Sequence, residues 1–336
     1  RTKPGAALCS QLPLASTAGE CRMTYAAVGE ALSLDAAQWP PLKHPLDVMP
    51  TLQALQSERV VPVQDLASTA EAIAALSDTA QWAENADAGS KLVDLAVRTA
   101  PPQRLAARLC TAFERDDDGV ARLSSAAFPA LRQRRVALSA AEAALSRAVK
   151  DLVASGALSD VVSEAGATPQ WREGRLVIPV RPGDKRKAGV EVGASRSGRT
   201  CFVEPHALVP PSAAVRASHQ ALAACEARLV GALCALLEAN APGLCDAVDA
   251  AAELDALLAR AALGAAWEGT VPLVRDEGVL CVRDARHPLL ALKSATSDGS
   301  STEVRGNTLS LAGAALAHHG DGDHADGAKS DEQVHR

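Results

Sequence analysis

Residues 172–205 read REGRLVIPVRPGDKRKAGVEVGASRSGRTCFVEP. Arg175-Leu-Val-Ile-Pro-Val180 is a β-branched run of strand length. Pro182-Gly183 signals a turn, and Gly189–Val192 and Cys201–Val203 are two further short extended pieces. From Arg172 to Arg199, eight basic residues (Arg172, Arg175, Arg181, Lys185, Arg186, Lys187, Arg196 and Arg199) stand against three acids (Glu173, Asp184 and Glu191). This excess of positive charge sits in a chain of formal net charge −6. A basic tip on an acidic body is the electrostatic footprint of a polyanion partner.

Both flanks carry a seven-residue repeat. Upstream, Leu131, Leu138, Leu145 and Leu152 recur with Ala141 and Ala148 between them; downstream, Val215, Leu222, Leu229 and Leu236 recur with Cys225 and Ala232 between them. A period of 3.5 gives a narrow apolar seam suited to one partner helix, and the simplest partner for each flank is the other. The expected fold is mainly α: a helical core with a long antiparallel helical arm carrying a small β-rich insert. Composition agrees. Aromatics are 2% and the apolar share of 48% is largely Ala, Leu and Val, and Ala and Leu are strong helix formers.

Within the insert, Gly189-Val-Glu-Val-Gly-Ala-Ser195-Arg-Ser197-Gly198-Arg-Thr200-Cys-Phe202-Val-Glu204-Pro205 resembles a signature of the MutS mismatch-repair superfamily, in the type-two branch of bacteria and plastids. Leu254-Asp255 and Arg286-His287-Pro288-Leu289-Leu290 fall where that family carries its LD and RHPLL motifs. The resemblance covers roughly residues 110–290, and earlier residues loosely. The chain departs from it at Val192-Gly193, where the family usually has His-Asp, and at Ser212-Ala213, where it has an Asn pair.

The resemblance implies a core, lever and clamp portion, with a clamp that grips mismatched or branched DNA in DNA repair or in suppression of recombination. Arg181, Lys185, Arg186, Lys187, Arg196 and Arg199 are the expected phosphate contacts. An rRNA-binding clamp in stalled-ribosome rescue uses the same chemistry. A coiled-coil structural protein without nucleic-acid binding is the reading of a different class. The mismatch-reading branch uses a Phe-x-Glu wedge in a separate domain; the one Phe-x-Glu here, Phe202-Val-Glu204, belongs to the signature. The family is ATP-dependent, sometimes with an endonuclease domain, and dimerises through its ATPase domain. The 46 residues after Leu290 contain no phosphate loop, so ATP and Mg are implied for full-length members and no cofactor is expected for this chain. The expected setting is reducing and intracellular, bacterial cytoplasm or plastid.

Other chemistries fit poorly. Gly193–Thr200 matches G-x4-G-K-[ST] except for Arg199, but Thr200 leads into an extended run ending at Pro205, leaving no helix to receive phosphates. Gly193-x-Ser195-x-Ser197 lacks the last Gly of a nucleophile elbow. Glu114–Gly119 is an acidic turn rather than a calcium loop, since Ala127 stands at the twelfth position. The eight cysteines form no C-x-x-C and are expected as buried free thiols. No apolar run reaches about 18 residues, so no membrane span is expected.

The expected organisation is a helical support region over residues 1–127, irregular to about residue 50. A first lever helix covers 128–171, running from Phe128 to Leu158. The basic β insert is 172–205. The return lever and a core helix occupy 206–265, with Ser212 as N-cap and the core helix from Leu244 to Gly264. A lead-in to an ATPase domain spans 266–292, with short strands at Val271–Val274 and Gly278–Val282. A disordered Ser, Gly, Asp and His-rich tail fills 293–336.

Overall fold

The computed structural model describes residues 2–11, 15–42, 45–86, 91–157, 159–162, 168–172, 175–276, 279–287 and 307–312. The fold is mainly α with small antiparallel sheets. In chain order the helices are α1 (Lys3–Ser10), α2 (Ala18–Ser33), α3 (Met49–Gln56), α4 (Val63–Glu84), α5 (Lys91–Arg98), α6 (Gln103–Leu109), α7 (Pro129–Ala154), α8 (Lys185–Ala188), α9 (Val209–Ala239) and α10 (Ala241–Ala266). The strands are β1 (Phe113–Arg115), β2 (Ala121–Leu123), β3 (Gln170–Arg172), β4 (Arg175–Val180), β5 (Gly189–Ala194), β6 (Cys201–Pro205), β7 (Val279–Ala285) and β8 (Asn307–Ala312). Residues 1–12 and 36–256 form one compact unit, and residues 13–35 and 257–336 a second.

In the first unit α4 buries Leu66, Ala70, Ile73 and Leu76, and α5 and α6 pack on it through Leu92, Ala96, Leu105 and Leu109. The acidic stretch after Phe113 is the turn of the β1–β2 hairpin, with Gly119 at φ 77 and the Asp116 carboxylate accepting from Val120 N–H. The first 50 residues are more regular than their prolines suggest. Pro4 lies in the first turn of α1, where its missing N–H is harmless. The buried Asp255 carboxylate accepts both the N–H and the hydroxyl of Thr2, each at 2.7 Å, and Thr2 caps α1. A Cβ on Gly5 would come within 2.4 Å of Asp255 Oδ2. Asp255 of the Leu254-Asp255 pair is therefore the anchor of the N-terminal helix.

The arm is α7 packed against α9. Arg135 reaches Glu226 at 3.5 Å and Glu142 reaches His219 at 3.7 Å. Later residues of one helix meet earlier residues of the other, so the pair is antiparallel. Leu145, Leu152, Val215, Leu176 and Leu208 form one buried cluster, with Leu138, Ala141 and Ala148 packed against it. The predicted register holds for α7 and for the start of α9. It drifts at the base: Leu233 and Leu237 are buried, whereas Leu229 and Leu236 are half-buried. There α9 also meets α3 and α6, and a helix with more than one neighbour buries a 3.6-residue face rather than a 3.5-residue seam.

Several boundaries differ from expectation. α7 stops at Ala154, where Gly156 adopts φ 64. α9 begins at Val209 with Leu208 as N-cap, so Ser212 is a buried residue of the first turn instead. Pro210 and Pro211 fit there for the same reason as Pro4. α10 starts at Ala241, ahead of Leu244. By length and composition α9 is long and apolar enough to cross a membrane, the one such helix among those described. Arg216, Glu226 and Arg228 interrupt its apolar run in the sequence; Val215, Cys225, Leu233 and Leu237 are buried in the fold, while Leu222, Leu229, Val230 and Leu236 are part-exposed.

In the second unit Arg22 donates to both carboxylate oxygens of Asp276, at 3.2 and 3.0 Å. β7 pairs with β8 in an antiparallel hairpin, so residues 307–312, expected within the disordered tail, form a strand. Val271–Val274 is unpaired rather than a strand. His318, His319 and His324 lie outside the described residues. All eight cysteines are free, but only Cys201 and Cys225 are buried; Cys9, Cys110 and Cys281 are exposed, against the expectation of buried thiols. Partial burial, then nearby Asp78, pushes the Cys110 thiol above its ordinary range.

The base of α9 provides a test of the drifted seam. Leu237→Ala is expected to lower unfolding free energy by about 2–5 kcal/mol. Leu229→Ala is expected to have roughly half that effect or less. Urea unfolding midpoints at constant m-value check the order; equal effects would place the seam back on the strict heptad.

Candidate nucleic-acid interface

The basic insert is a four-stranded sheet of order β3-β4-β6-β5, antiparallel between neighbours. Its β-branched residues explain it. Ile178, Val180 and Val203 are fully buried with Val162, Ala188 and Cys201 in one small core. The chain crosses from β4 to β5 over β6 through one 3-10 turn, Pro182–Asp184, and the single helical turn α8, which packs on β5 and β6. That turn was not legible in the sequence, where Asp184–Ala188 has no apolar period of its own.

The six predicted phosphate contacts fall in two groups rather than on one tip. Val180 and Ala194 both pair with Cys201. Arg181 and the loop holding Arg196 and Arg199 therefore share the end of the sheet farther from the start of α9, and all three side chains are exposed. Arg186 and Lys187 are exposed on α8. The carbonyl of Ala188 accepts His206 N–H at 3.2 Å, which sets the end of α8 beside the root of α9. Lys185 is not a free cation: it donates to Glu191 at 3.0 Å, and that bond and charge raise its pKa. Among the described residues no carboxylate lies within ion-pair distance of the other five.

The signature residues build the hairpin and its attachment. Ser195 N–H donates to the Thr200 carbonyl at 2.8 Å, Ser195 Oγ accepts Thr200 N–H at 3.2 Å, and the two serine hydroxyls lie 3.3 Å apart. Gly198 takes φ 66, which a side chain resists. Residues 193–200 therefore form a strand–turn–strand, and the chain after Thr200 continues as β6. This geometry does not fit a nucleotide phosphate loop, which needs a helix N-terminus after the Thr. The departure at Val192-Gly193 falls on a β-bulge between Glu191 and Gly193. Phe202 pairs with Pro179 and carries the Arg172 guanidinium 3.9 Å from its ring centroid, so it is occupied inside the sheet and is no wedge.

Glu204 is fully buried. Its Oε2 accepts from Arg175 on β4 at 3.2 Å, and its Oε1, which has no hydrogen bond, lies 3.7 Å from Arg216 on α9. Arg216 also donates to buried Ser212 Oγ at 3.0 Å. Glu204 thus ties sheet to arm. Gly189 lets β5 approach it: a Cβ there would stand 1.9 Å from the Glu204 carbonyl oxygen. Sequence reading placed Glu204 and Pro205 in the signature without a role, because burial of a carboxylate between a neighbouring strand and the following helix leaves no local trace. Trp171, 63% exposed, lines a groove of about 420 Å³ with Leu145, Val149, Lys150 and Leu176 at the root of the insert.

Of the RHPLL motif, Arg286 lies 3.4 Å from Glu268 and 3.6 Å from Asp284, a structural pairing, and His287 is exposed. Pro288 lies outside the described residues. Among the described residues there is no cluster of His, Cys, Asp or Glu able to hold a metal ion.

Because both arginine partners are part-exposed, the loss of the Glu204 contacts is expected to be moderate. Glu204→Ala should weaken the insert by about 1–3 kcal/mol. The readout is amide exchange, faster in β4, β5 and β6 than in α4 or α6; uniform acceleration across the chain would argue against a local joint.

No family model matches the chain. It is 32% identical over 177 residues to an Endonuclease MutS2 of Halalkalibacterium halodurans, covering 52% of this chain and 22% of that protein. It is 30% identical over 169 residues to that of Pelotomaculum thermopropionicum (50% and 21%) and 30% identical over 192 residues to that of Levilactobacillus brevis (57% and 24%). The chain thus spans about a fifth to a quarter of the length of these curated relatives. These similarities relate the chain to the MutS2 branch of the MutS family.

Proposed function

We propose that the insert is a clamp which grips the phosphate backbone of mismatched or branched duplex DNA, in a MutS-type role in DNA repair or suppression of recombination. The observation that carries this reading is the set of five exposed cations, Arg181, Arg186, Lys187, Arg196 and Arg199, left without carboxylate partners in an acidic chain. Guanidinium and ammonium groups there neutralise phosphates and release counterions, so affinity falls with salt. They read no bases; selectivity comes from the shape of the backbone they must reach. The arm holds the sheet at the end of two helices, and α9 is about 46 Å long at 1.5 Å per residue over its 31 residues. In this reading the clamp closes as part of a dimer. ATP and Mg belong to the full-length family members, and no step is assigned to them in this chain.

Ribosomal RNA offers the same phosphates, and its structured forms are the comparison that matters. The test is fluorescence-anisotropy titration of a four-way DNA junction, a linear duplex and a structured rRNA, each across a salt series. Tightest, salt-sensitive binding to the junction supports the proposal. Preference for rRNA moves the clamp to the ribosome, and no binding to any of the three at low salt favours a purely structural arm.

Two variants sharpen the result. Arg196→Glu with Arg199→Glu is expected to reduce the salt slope for duplex DNA by about two, one per lost contact. Lys185→Gln is expected to change it far less, because Glu191 already holds that ammonium. A large effect of Lys185→Gln and none of the arginine pair would reverse the assignment.

A further inference from the structure

We propose that Arg104, Arg108 and Arg132 form a second phosphate-binding row at the base of the arm, which takes the backbone of the same nucleic acid; this rests on the clamp reading above. Arg104 and Arg108 are exposed one turn apart on α6, and Arg132 is exposed on α7 one turn beyond Phe128. The Arg108 guanidinium lies 4.7 Å from the centroid of the buried Phe128 ring. Arg132 N–H donates to the Phe128 carbonyl. The Phe128 ring thus holds Arg108 by a cation–π contact while its charge faces water, with Arg104 one turn away on the same helix and the Arg132 backbone one turn along from Phe128.

Arg134, also on α7, is exposed and without a carboxylate partner among the described residues, but other neighbouring arginines are paired. Arg98 pairs with Glu253, Arg115 with Glu71, Arg122 with Glu114, and Arg135 with Glu114 and Glu226. Among the described residues no carboxylate lies within ion-pair distance of Arg104, Arg108 or Arg132. In a chain of net charge −6, three grouped and unneutralised guanidiniums make an anion surface rather than a solvated salt-bridge lattice. Arg104 and Arg108, four residues apart, are offset by about 6 Å along the helix axis, close enough for both to reach phosphates of one strand, which carries a charge about every 3.4 Å of duplex axis. Guanidinium forks suit phosphate oxygens. The fixed spacing of Arg104 and Arg108 on one helix suits the regular charges of a polynucleotide backbone better than an acidic peptide, whose carboxylates have no fixed spacing.

The test uses the 336-residue chain in four forms: wild type, a base variant (Arg104→Glu plus Arg132→Glu), a tip variant (Arg196→Glu plus Arg199→Glu) and their combination. Arg108 is kept so that its packing on Phe128 is intact, and Arg104→Gln plus Arg132→Gln repeats the base variant without adding charge. Anisotropy with a duplex DNA across a salt series should show the base variant lowering the slope by about two, at about 0.9 per phosphate. The tip variant should lower it by a similar, additive amount. A base variant that keeps the wild-type slope and affinity overturns this proposal and leaves the clamp standing. A base effect without a tip effect overturns the clamp instead and leaves the row supported. A base variant that loses labelled polyglutamate but not duplex assigns the row to an acidic polypeptide and also overturns the proposal.

Discussion

The apolar seam between α7 and α9 is the contact on which the rest of the arm depends. Ala-rich helices bury little area each, so the seam concentrates its burial in Leu131, Leu145, Leu152, Val215, Leu233 and Leu237. Polar pairs on its flanks, Arg135 with Glu226 and Glu142 with His219, are exposed or part-exposed and serve register more than stability. Both helices are long because only a long two-stranded seam can hold a small sheet away from the body. At its base the seam gives way to contacts with α3 and α6, and there the seven-residue repeat no longer describes what is buried.

A small sheet on such an arm needs a joint, and the insert supplies it with one buried carboxylate. Glu204 receives Arg175 from within the sheet and faces Arg216 on α9, while Leu176 and Leu208 enter the seam cluster below. Charge and packing therefore fasten the same junction. The signature Glu-Pro marks where strand β6 turns into the return helix, and its hydrophilic residue faces inward. The serines and Gly198 act at the opposite end, closing the hairpin that presents Arg196 and Arg199. On this account the signature is chiefly architectural, and the cations between its fixed positions carry the proposed contact with nucleic acid.

Electrostatics divides the arginines of the first unit by partner. Some lock elements together through Glu71, Glu114, Glu204, Glu226 and Glu253, and their charge is spent inside the molecule. Others, on the hairpin loop, on α8 and around Phe128, face solvent without a counter-charge. A count of basic residues along the sequence merges these two populations. Lys185 shows the difference: it belongs to the basic run, yet it is bonded to Glu191, six residues on in the next strand.

The sequence by itself determined the mainly α class, the two helices of the arm, the β character of the insert and the absence of a helix after Thr200. These follow from periodicity, β-branching and proline, which act over a few residues. Tertiary structure decided the rest. It set the drift of the seam, because a second neighbour changed which face of α9 is buried. It made Glu204 and Asp255 anchors, because each buried carboxylate meets groups from other elements, Arg175 and Arg216 for Glu204 and Thr2 for Asp255. It split the predicted cations into two groups and set the Arg108 guanidinium over the Phe128 ring, twenty residues away in the chain. It also formed strand β8 from residues whose composition reads as a tail, since pairing with β7 supplies hydrogen bonds that no local pattern announces.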